Sequence, residues 1–190
     1  MRSMTANDDH VVLVNERNEV LGTAPKATVH TANTPLHRGF SVFLFNDKGE
    51  LLLQQRSLTK KTWPGVWSNS CCGHPRLGEE IEDAARRRVM EELGLSNIKL
   101  IEVLPDYRYR YQHNGVVEYE LCPVFVGITK QHPRLNKKEV SAMKWVAWTQ
   151  FVSSTIINSP EYSHWALEIS QLLAQNKAFE MWFNKNTTKK

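Results

Sequence analysis

Two glutamates stand two residues apart in "VVEYEL": Glu118 and Glu120. In an extended strand both point to one face, with Val117, Tyr119 and Leu121 on the other. Carboxylates held side by side repel unless a cation or a shared proton relieves them. A solvated strand surface would tolerate them too, but the residues that follow, "CPVFVGI", are apolar and argue that this strand is buried. His30 and His37, in "KATVHTANTPLHRGF", and His74, in "CCGHP", add three imidazoles. Each alone is more often structural than a ligand. Together with the carboxylate pair they suit a borderline divalent metal, Mn²⁺ or Zn²⁺, and Mg²⁺ less well. His10, His113, His132 and His164 read as ordinary loop or helix residues.

A second set of reactive groups lies in "WSNSCCGHPRLGEE", residues 67–80. The chain has three cysteines, Cys71, Cys72 and Cys122. An odd number without a secretion signal argues against a disulfide framework, and no second cysteine pair exists to complete a four-cysteine zinc knuckle. The thiols are expected to be reduced. In a strand Cys71 and Cys72 would face opposite sides. Spacing alone does not choose between them.

Helix periodicity singles out a third group. With Ile81 at zero on a 100° wheel, Ala85 falls at about 40°, Val89 at about 80° and Ala84 at about −60°. Arg88, at about −20°, and Glu92, at about 20°, lie inside that apolar sector. An ion pair that snorkels to the helix edge is one reading; a cleft in which the two charges hold an ion is the other. Glu79, Glu80, Glu82 and Asp83 fit the positive end of the helix dipole. Lys26, Arg56, Lys60, Lys61 and Arg88 form a scattered basic set able to bind phosphate. Trp63, Trp67 and Trp165 sit among polar residues; core packing is their default, and a π face over a developing cation is the sharper alternative.

The elements that must position these groups follow from pattern. "HVVLVNERNEVLGTAPK" reads as strand, turn, strand over Val11–Val14 and Glu19–Thr23. "GFSVFLFNDKGELLLQQRS" reads as a hairpin turning at Asn46-Asp47-Lys48-Gly49. Residues 79–93 read as a helix ended by Gly94. "IKLIEVLPDYRYRYQ" and "VVEYELCPVFVGIT" alternate as strands, "AMKWVAWTQFVSS" ends the sheet, and "SPEYSHWALEISQLLAQNKAFEMWF" reads as one long helix. Strands interspersed with helices predict a mixed α/β (α+β) sandwich.

Bulk properties bound the function. The chain has 190 residues, 41% of them hydrophobic, which suits one compact domain. No apolar run approaches the roughly 20 residues needed to span a bilayer. The start, "MRSMTANDDH", lacks the apolar stretch of a secretory signal, so a cytoplasmic location is expected. The net charge of +4 fits anionic substrates, and nucleic acid only weakly, because part of it lies in the tail "NKNTTKK". Neither a Walker loop nor a dinucleotide glycine pattern is present. No membrane or nucleic-acid partner is expected; a monomer or a homodimer both fit.

These motifs resemble the Nudix box, Gly-x5-Glu-x7-Arg-Glu-apolar-x-Glu-Glu-x-Gly-apolar. Gly73 and Glu79 match, followed by Arg87, Val89, Glu91, Glu92, Gly94 and Leu95. Arg88 stands where Nudix hydrolases carry a metal-binding glutamate, which argues against pyrophosphate hydrolysis. "WPGVWSNSCCGHP", "HTANTPLHRGFSVFLFN" and "VEYELCPVF" resemble a narrower branch, the type 1 isopentenyl-diphosphate isomerases, over about residues 10–170. That branch carries Arg at position 88.

The resemblance implies a Nudix-type mixed sheet between helices with an N-terminal β extension. Its divisions would be an extension over 1–34, a catalytic domain over 35–168, and a helix end with a basic tail over 169–190. It implies that His30, His37, His74, Glu118 and Glu120 hold one Mn²⁺ or Zn²⁺. Glu92 and the backbone carbonyl of Cys72 would hold a Mg²⁺ that also meets the substrate diphosphate. Cys72 and Glu120 would be the acid/base pair, with Glu120 protonating and Cys72 deprotonating, or the reverse. Tyr109 would hydrogen-bond Glu120, Trp165 would face the reacting carbons, and Lys26, Arg56, Lys60 and Arg88 would contact the diphosphate. The implied activity is conversion of isopentenyl diphosphate to dimethylallyl diphosphate in isoprenoid biosynthesis. A Nudix hydrolase of a diphosphate substrate and a metal-stabilised binding module are the alternatives.

Overall fold

The computed structural model of the chain describes residues 10–155 and 159–187. Five strands form one mixed sheet. β1 (His10–Val14) turns through Asn18, which adopts the left-handed conformation at φ 63°, into β2 (Val20–Pro25). A single helical turn, α1 (Lys26–Val29), leads to β3 (His37–Arg38). β1 lies between β2 and β3, and the order is completed by β10 (Val116–Leu121) and β9 (Arg108–His113). β3 and β10 run parallel, with His37 opposite Glu120.

The second sheet is the structural centre. β4 (Phe40–Phe45) and β5 (Glu50–Arg56) form the expected hairpin, turning at Gly49 with φ 75°. β6 (Trp67–Ser68) pairs with β5, and β7 (Cys71–Gly73) pairs with β4. β8 (Leu100–Leu104), β11 (Val124–Ile128) and β12 (Val140–Ala147) complete it, in the order β12-β5-β4-β11-β8.

All six residues of β4 are buried, because both faces of this sheet are covered. Phe40, Val42 and Leu44 pack with Ala84, Ala85, Val89 and Leu93 of α2 (Ile81–Leu93). Phe43 and Phe45 face the other way, toward α3 (Trp148–Thr155), α4 (His164–Ala174) and α5 (Lys177–Asn186). Truncating any one of these fully buried phenylalanines to alanine costs ~3–5 kcal/mol. α2 ends where the sequence predicts: Gly94 adopts φ 64° and its N–H bonds the Met90 carbonyl.

Two elements differ from the sequence expectation. "AMKWVAWTQFVSS" is not all strand: β12 stops at Ala147 and α3 begins at Trp148. The expected long C-terminal helix is two helices, α4 and α5. It breaks because the Asn176 side chain accepts a hydrogen bond from the Phe179 N–H and so caps a new helix start. Residues Asn184–Asn186 of the expected tail are helical, and residues 188–190 lie outside the described residues, as do residues 1–9 of the N-terminal segment.

Candidate active site

A cavity of about 470 Å³ opens between the two sheets and is closed by α1, α2 and α4. Among the residues singled out from sequence, Lys26, His30, Arg56, Lys60, Cys72, His74, Arg88, Glu92, Tyr109, Glu118, Glu120 and Trp165 all line it. His37 is fully buried beside them.

The three imidazoles and two carboxylates meet as one cluster. Alternation along β10 places Glu118 and Glu120 on one buried face. His74 Nε2 lies 3.0 Å and His37 Nε2 3.6 Å from Glu120 Oε1, and His30 Nε2 lies 3.3 Å from Glu118 Oε2. Ligand atoms of His30, His37 and His74, and of His37, Glu118 and Glu120, fall within 4.8 Å of one another. His37 Nδ1 lies 2.9 Å from the Pro35 carbonyl, so it carries the ring hydrogen and Nε2 keeps its lone pair. Among the described residues, His30 Nε2, His37 Nε2 and Glu118 Oε2 are buried without a hydrogen-bond partner. Orphaned atoms of this kind cost ~1–3 kcal/mol each. Their convergence fits a divalent cation.

Burial holds His74 neutral, with its pKa near 3, as a metal-binding imidazole must be. Burial pushes the Glu120 carboxyl upward, but the His37 and His74 imidazoles beside it outweigh that and hold it well below the usual carboxylate range. Tyr109 sits directly opposite Glu120 in the β9–β10 ladder. Among the described residues no hydrogen bond joins the Tyr109 hydroxyl to Glu120; the ring packs against Tyr107 and Trp165, and burial and the Glu120 charge keep the phenol protonated.

Cys72 and Cys71 separate as strand geometry requires. Cys71 pairs with Val42 and is sealed in the core beneath α2. Cys72 pairs with Ser41 and borders the cavity. Its Sγ lies 3.1 Å from Asn69 Oδ1 and 3.5 Å from Ser41 Oγ. Burial pushes this thiol up to about 11, so the chain presents a thiol where a base would need a thiolate.

The basic residues divide by what they already hold. Arg56 uses Nε and Nη2 on the Thr62 and Trp63 carbonyls, which ties down the loop after β5. Lys60 and Arg88 are both paired with Glu139, Arg88 at 3.1 Å. Lys26 is half-buried, and desolvation, Arg88 and Lys60 together lower its pKa, in that order. Three cations crowded around one carboxylate favour an incoming anion.

On α2, Arg88 also pairs with Glu91 and Glu92, and Glu92 accepts from Gln54 Nε2 at 3.1 Å. Glu79 lies before the first turn of α2, where it takes two bonds from Arg87, at 2.7 and 2.8 Å, and one from the Arg76 N–H. Glu82 and Asp83 pair with Arg86.

Sequence patterns do not single out several residues in or beside the cavity, among them Ser41, Gln54, Ser68, Asn69 and Glu139. Gln54 was findable. It lies two residues before Arg56 in an apolar strand, so the two share a face. Glu139, 51 residues from Arg88, left no local pattern.

The NUDIX domain model matches residues 35–168. An isopentenyl-diphosphate Delta-isomerase of Saccharopolyspora erythraea is 46% identical over 158 residues, covering 83% of this chain and 81% of that one. One of Mycolicibacterium vanbaalenii is 47% identical over 166 residues, covering 86% and 90%. Among solved structures, a Deinococcus radiodurans protein superposes with a TM-score of 0.68 at 22% identity, covering 85% of this chain and 97% of that one. A MutT protein from Methanosarcina mazei gives 0.59 at 18%, covering 79% and 96%. These two share the fold. With the box carried on β7 and α2, and with that identity along most of the chain, the protein belongs to the Nudix family and, within it, to the isopentenyl-diphosphate Delta-isomerases.

Proposed function

We propose that the cavity converts isopentenyl diphosphate to dimethylallyl diphosphate, with Cys72 and Glu120 as the proton-transfer pair. One observation carries this reading. A thiol and a carboxylate line the same cavity as a cluster of cations, so proton chemistry and diphosphate binding share one space.

The reaction adds a proton to the terminal alkene carbon and removes one from the methylene beside the oxygen-bearing carbon. An unactivated alkene is a very weak base, so the donor must act in a dry, fixed geometry. Cys72 and Glu120 hold one mobile proton between them. Burial of Cys72 and the imidazoles beside Glu120 favour the proton on sulfur over the carboxyl. One turnover interchanges their protonation states, and exchange with solvent restores them. A divalent cation held by His30, His37, His74, Glu118 and Glu120 would, when bound, make a proton carried by Glu120 more acidic. Mn²⁺ or Zn²⁺ suits the mixed nitrogen and oxygen donors.

Positive charge develops at the tertiary carbon. The Trp165 face stabilises it by ~2 kcal/mol when desolvated and keeps water from adding to it. Lys26, Lys60 and Arg88 receive the diphosphate, and Arg56 shapes the loop that bears Lys60. Glu92, the buried and unpaired Oε1 of Gln54, and the Cys72 carbonyl offer hard oxygen donors for a Mg²⁺ accompanying the diphosphate. A working Cys72 thiol needs a reducing compartment, which favours the cytoplasm. Among the described residues no helix is long and apolar enough to cross a membrane.

Hydrolysis fits less well. Glu79 is engaged by Arg87, and Glu91 by Arg87 and Arg88, so of the box carboxylates only Glu92 lines the cavity. Incubation with isopentenyl diphosphate and Mg²⁺ should yield an acid-labile allylic diphosphate. Release of phosphate or pyrophosphate without that isomer would overturn the proposal.

A further inference from the structure

Ser68 ends β6 and Asn69 follows it before β7, and both are buried: Ser68 is 1% exposed and Asn69 is 0%. Neither belongs to the metal cluster or to the basic set. Together they join the two groups that flank the reacting carbons in the reading above. Trp165 Nε1 donates to Ser68 Oγ at 3.0 Å, Ser68 Oγ donates to Asn69 Oδ1 at 3.0 Å, and Cys72 Sγ donates to the same Oδ1 at 3.1 Å.

Hydrogen accounting fixes the direction of every link. The Asn69 amide has two hydrogens, and both are used, on the Val42 and Cys71 carbonyls at 3.0 Å each. A flipped amide would set its oxygen against those two carbonyls, so the orientation is unique. Oδ1 is therefore an acceptor only, and its two lone pairs take Ser68 and Cys72. The indole N–H is a donor only. The single hydroxyl hydrogen of Ser68 goes to Asn69, so Ser163, 2.9 Å away, donates to Ser68. An indole ring pinned at Nε1 cannot turn about its outer side-chain torsion, and the direction of its face is set.

We propose that Ser68 and Asn69 are positioning residues for the isomerisation, a rigid buried chain that holds the Trp165 ring and the Cys72 sulfur at a fixed offset from each other. This rests on the assignment of Trp165 and Cys72 to the reacting carbons. Asn69 is anchored to the backbone of β4 and β7, so the chain references both side chains to the central sheet. Positioning of this kind lowers the barrier by fixing the reacting geometry and leaves diphosphate binding to other residues.

The test compares two buried hydroxyl deletions. Ser68→Ala should lower kcat about tenfold with KM within twofold, since the diphosphate contacts are untouched. Ser68→Thr should restore most of the loss. Ser163→Ala removes a hydroxyl that touches Ser68 but neither Trp165 nor Asn69, and should keep kcat within about twofold. In a Trp165→Phe background, which lacks the indole donor, Ser68→Ala should cost less than about twofold more. Equal kcat in Ser68→Ala and Ser163→Ala, or additive losses in the cycle, would overturn the inference while leaving the proposed reaction standing. An unchanged kcat in Trp165→Phe would overturn the role of Trp165 and this inference with it. If Ser68→Ala does not fold, indole hydrogen exchange in the unmodified protein decides: a Trp165 N–H that exchanges as fast as an exposed one removes the chain, and a protected one supports it.

Discussion

Gly39 lies against Glu120 so closely that a β-carbon added at Gly39 would sit 2.0 Å from Glu120 Oε2 and 2.6 Å from its carboxyl carbon. The glycine immediately follows β3, whose His37 faces Glu120 across the parallel ladder. The carboxylate is thus confined by His37 and His74 on one side and by bare backbone on the other.

Gly39→Ala is expected to displace Glu120 from both imidazoles. Activity should fall by about 100-fold or more, the scale of a displacement near 1 Å at a reacting group. Bound divalent metal per chain, measured by elemental analysis, should fall with it, while the circular dichroism spectrum stays that of the parent.

Cys72→Ala should abolish turnover and keep the metal, because its side chain is not among the clustered ligand atoms. Cys71→Ala should stay active and lose ~1 kcal/mol of stability, as expected for a small truncation in a closed core. Isomerase assays and denaturant melts on the pair separate the two roles. Full activity in Cys72→Ala would remove the thiol from the mechanism.

Chelation should lower the melting temperature and reverse on adding Mn²⁺ or Zn²⁺. A metal that binds only the folded chain stabilises it by ~2.7 kcal/mol at 100 times its dissociation constant. A melting temperature indifferent to both treatments would argue that the His/Glu cluster holds no ion.

Glu139 sets the acid limit of the basic group. Burial would raise its carboxyl, but the Lys60 hydrogen bond and the Arg88 and Lys60 charges hold it at about 2. Its folded pKa lies below the unfolded value, so the stability it contributes is present above an unfolded carboxyl pKa of about 4.3 and is lost as pH falls toward 2. Glu139→Gln should make the stability profile shallower across that window. An unchanged slope in the variant would show that the bridge adds nothing to folding.

Sequence patterns revealed the parts of this site that repeat locally. A two-residue spacing exposed Glu118 and Glu120, and a 100° wheel placed Arg88 and Glu92 on the buried stripe of α2. Strand alternation separated Cys71 from Cys72 in principle, but only their partners, Val42 and Ser41, show which one borders the cavity. Contacts between distant segments left no such trace. Glu139 reaches Lys60 across 79 positions, and Trp165 reaches Ser68 across 97. The break between α4 and α5 was missed for a different reason. Apolar spacing continues through it, and the capping bond at Asn176 outweighs that periodicity.

The match to the NUDIX domain starts at residue 35, yet Lys26 and His30 both line the cavity. His30 reaches Glu118 from the turn that follows β2, and β1 is hydrogen-bonded between β2 and β3. The strand pair and the third imidazole are therefore carried by one continuous segment. An ion at the cluster would act as a rivet between the leading segment and the rest of the chain, and release of the ion would loosen both together. The boundary of the domain model and the boundary of the residues lining the cavity fall at different places along the sequence.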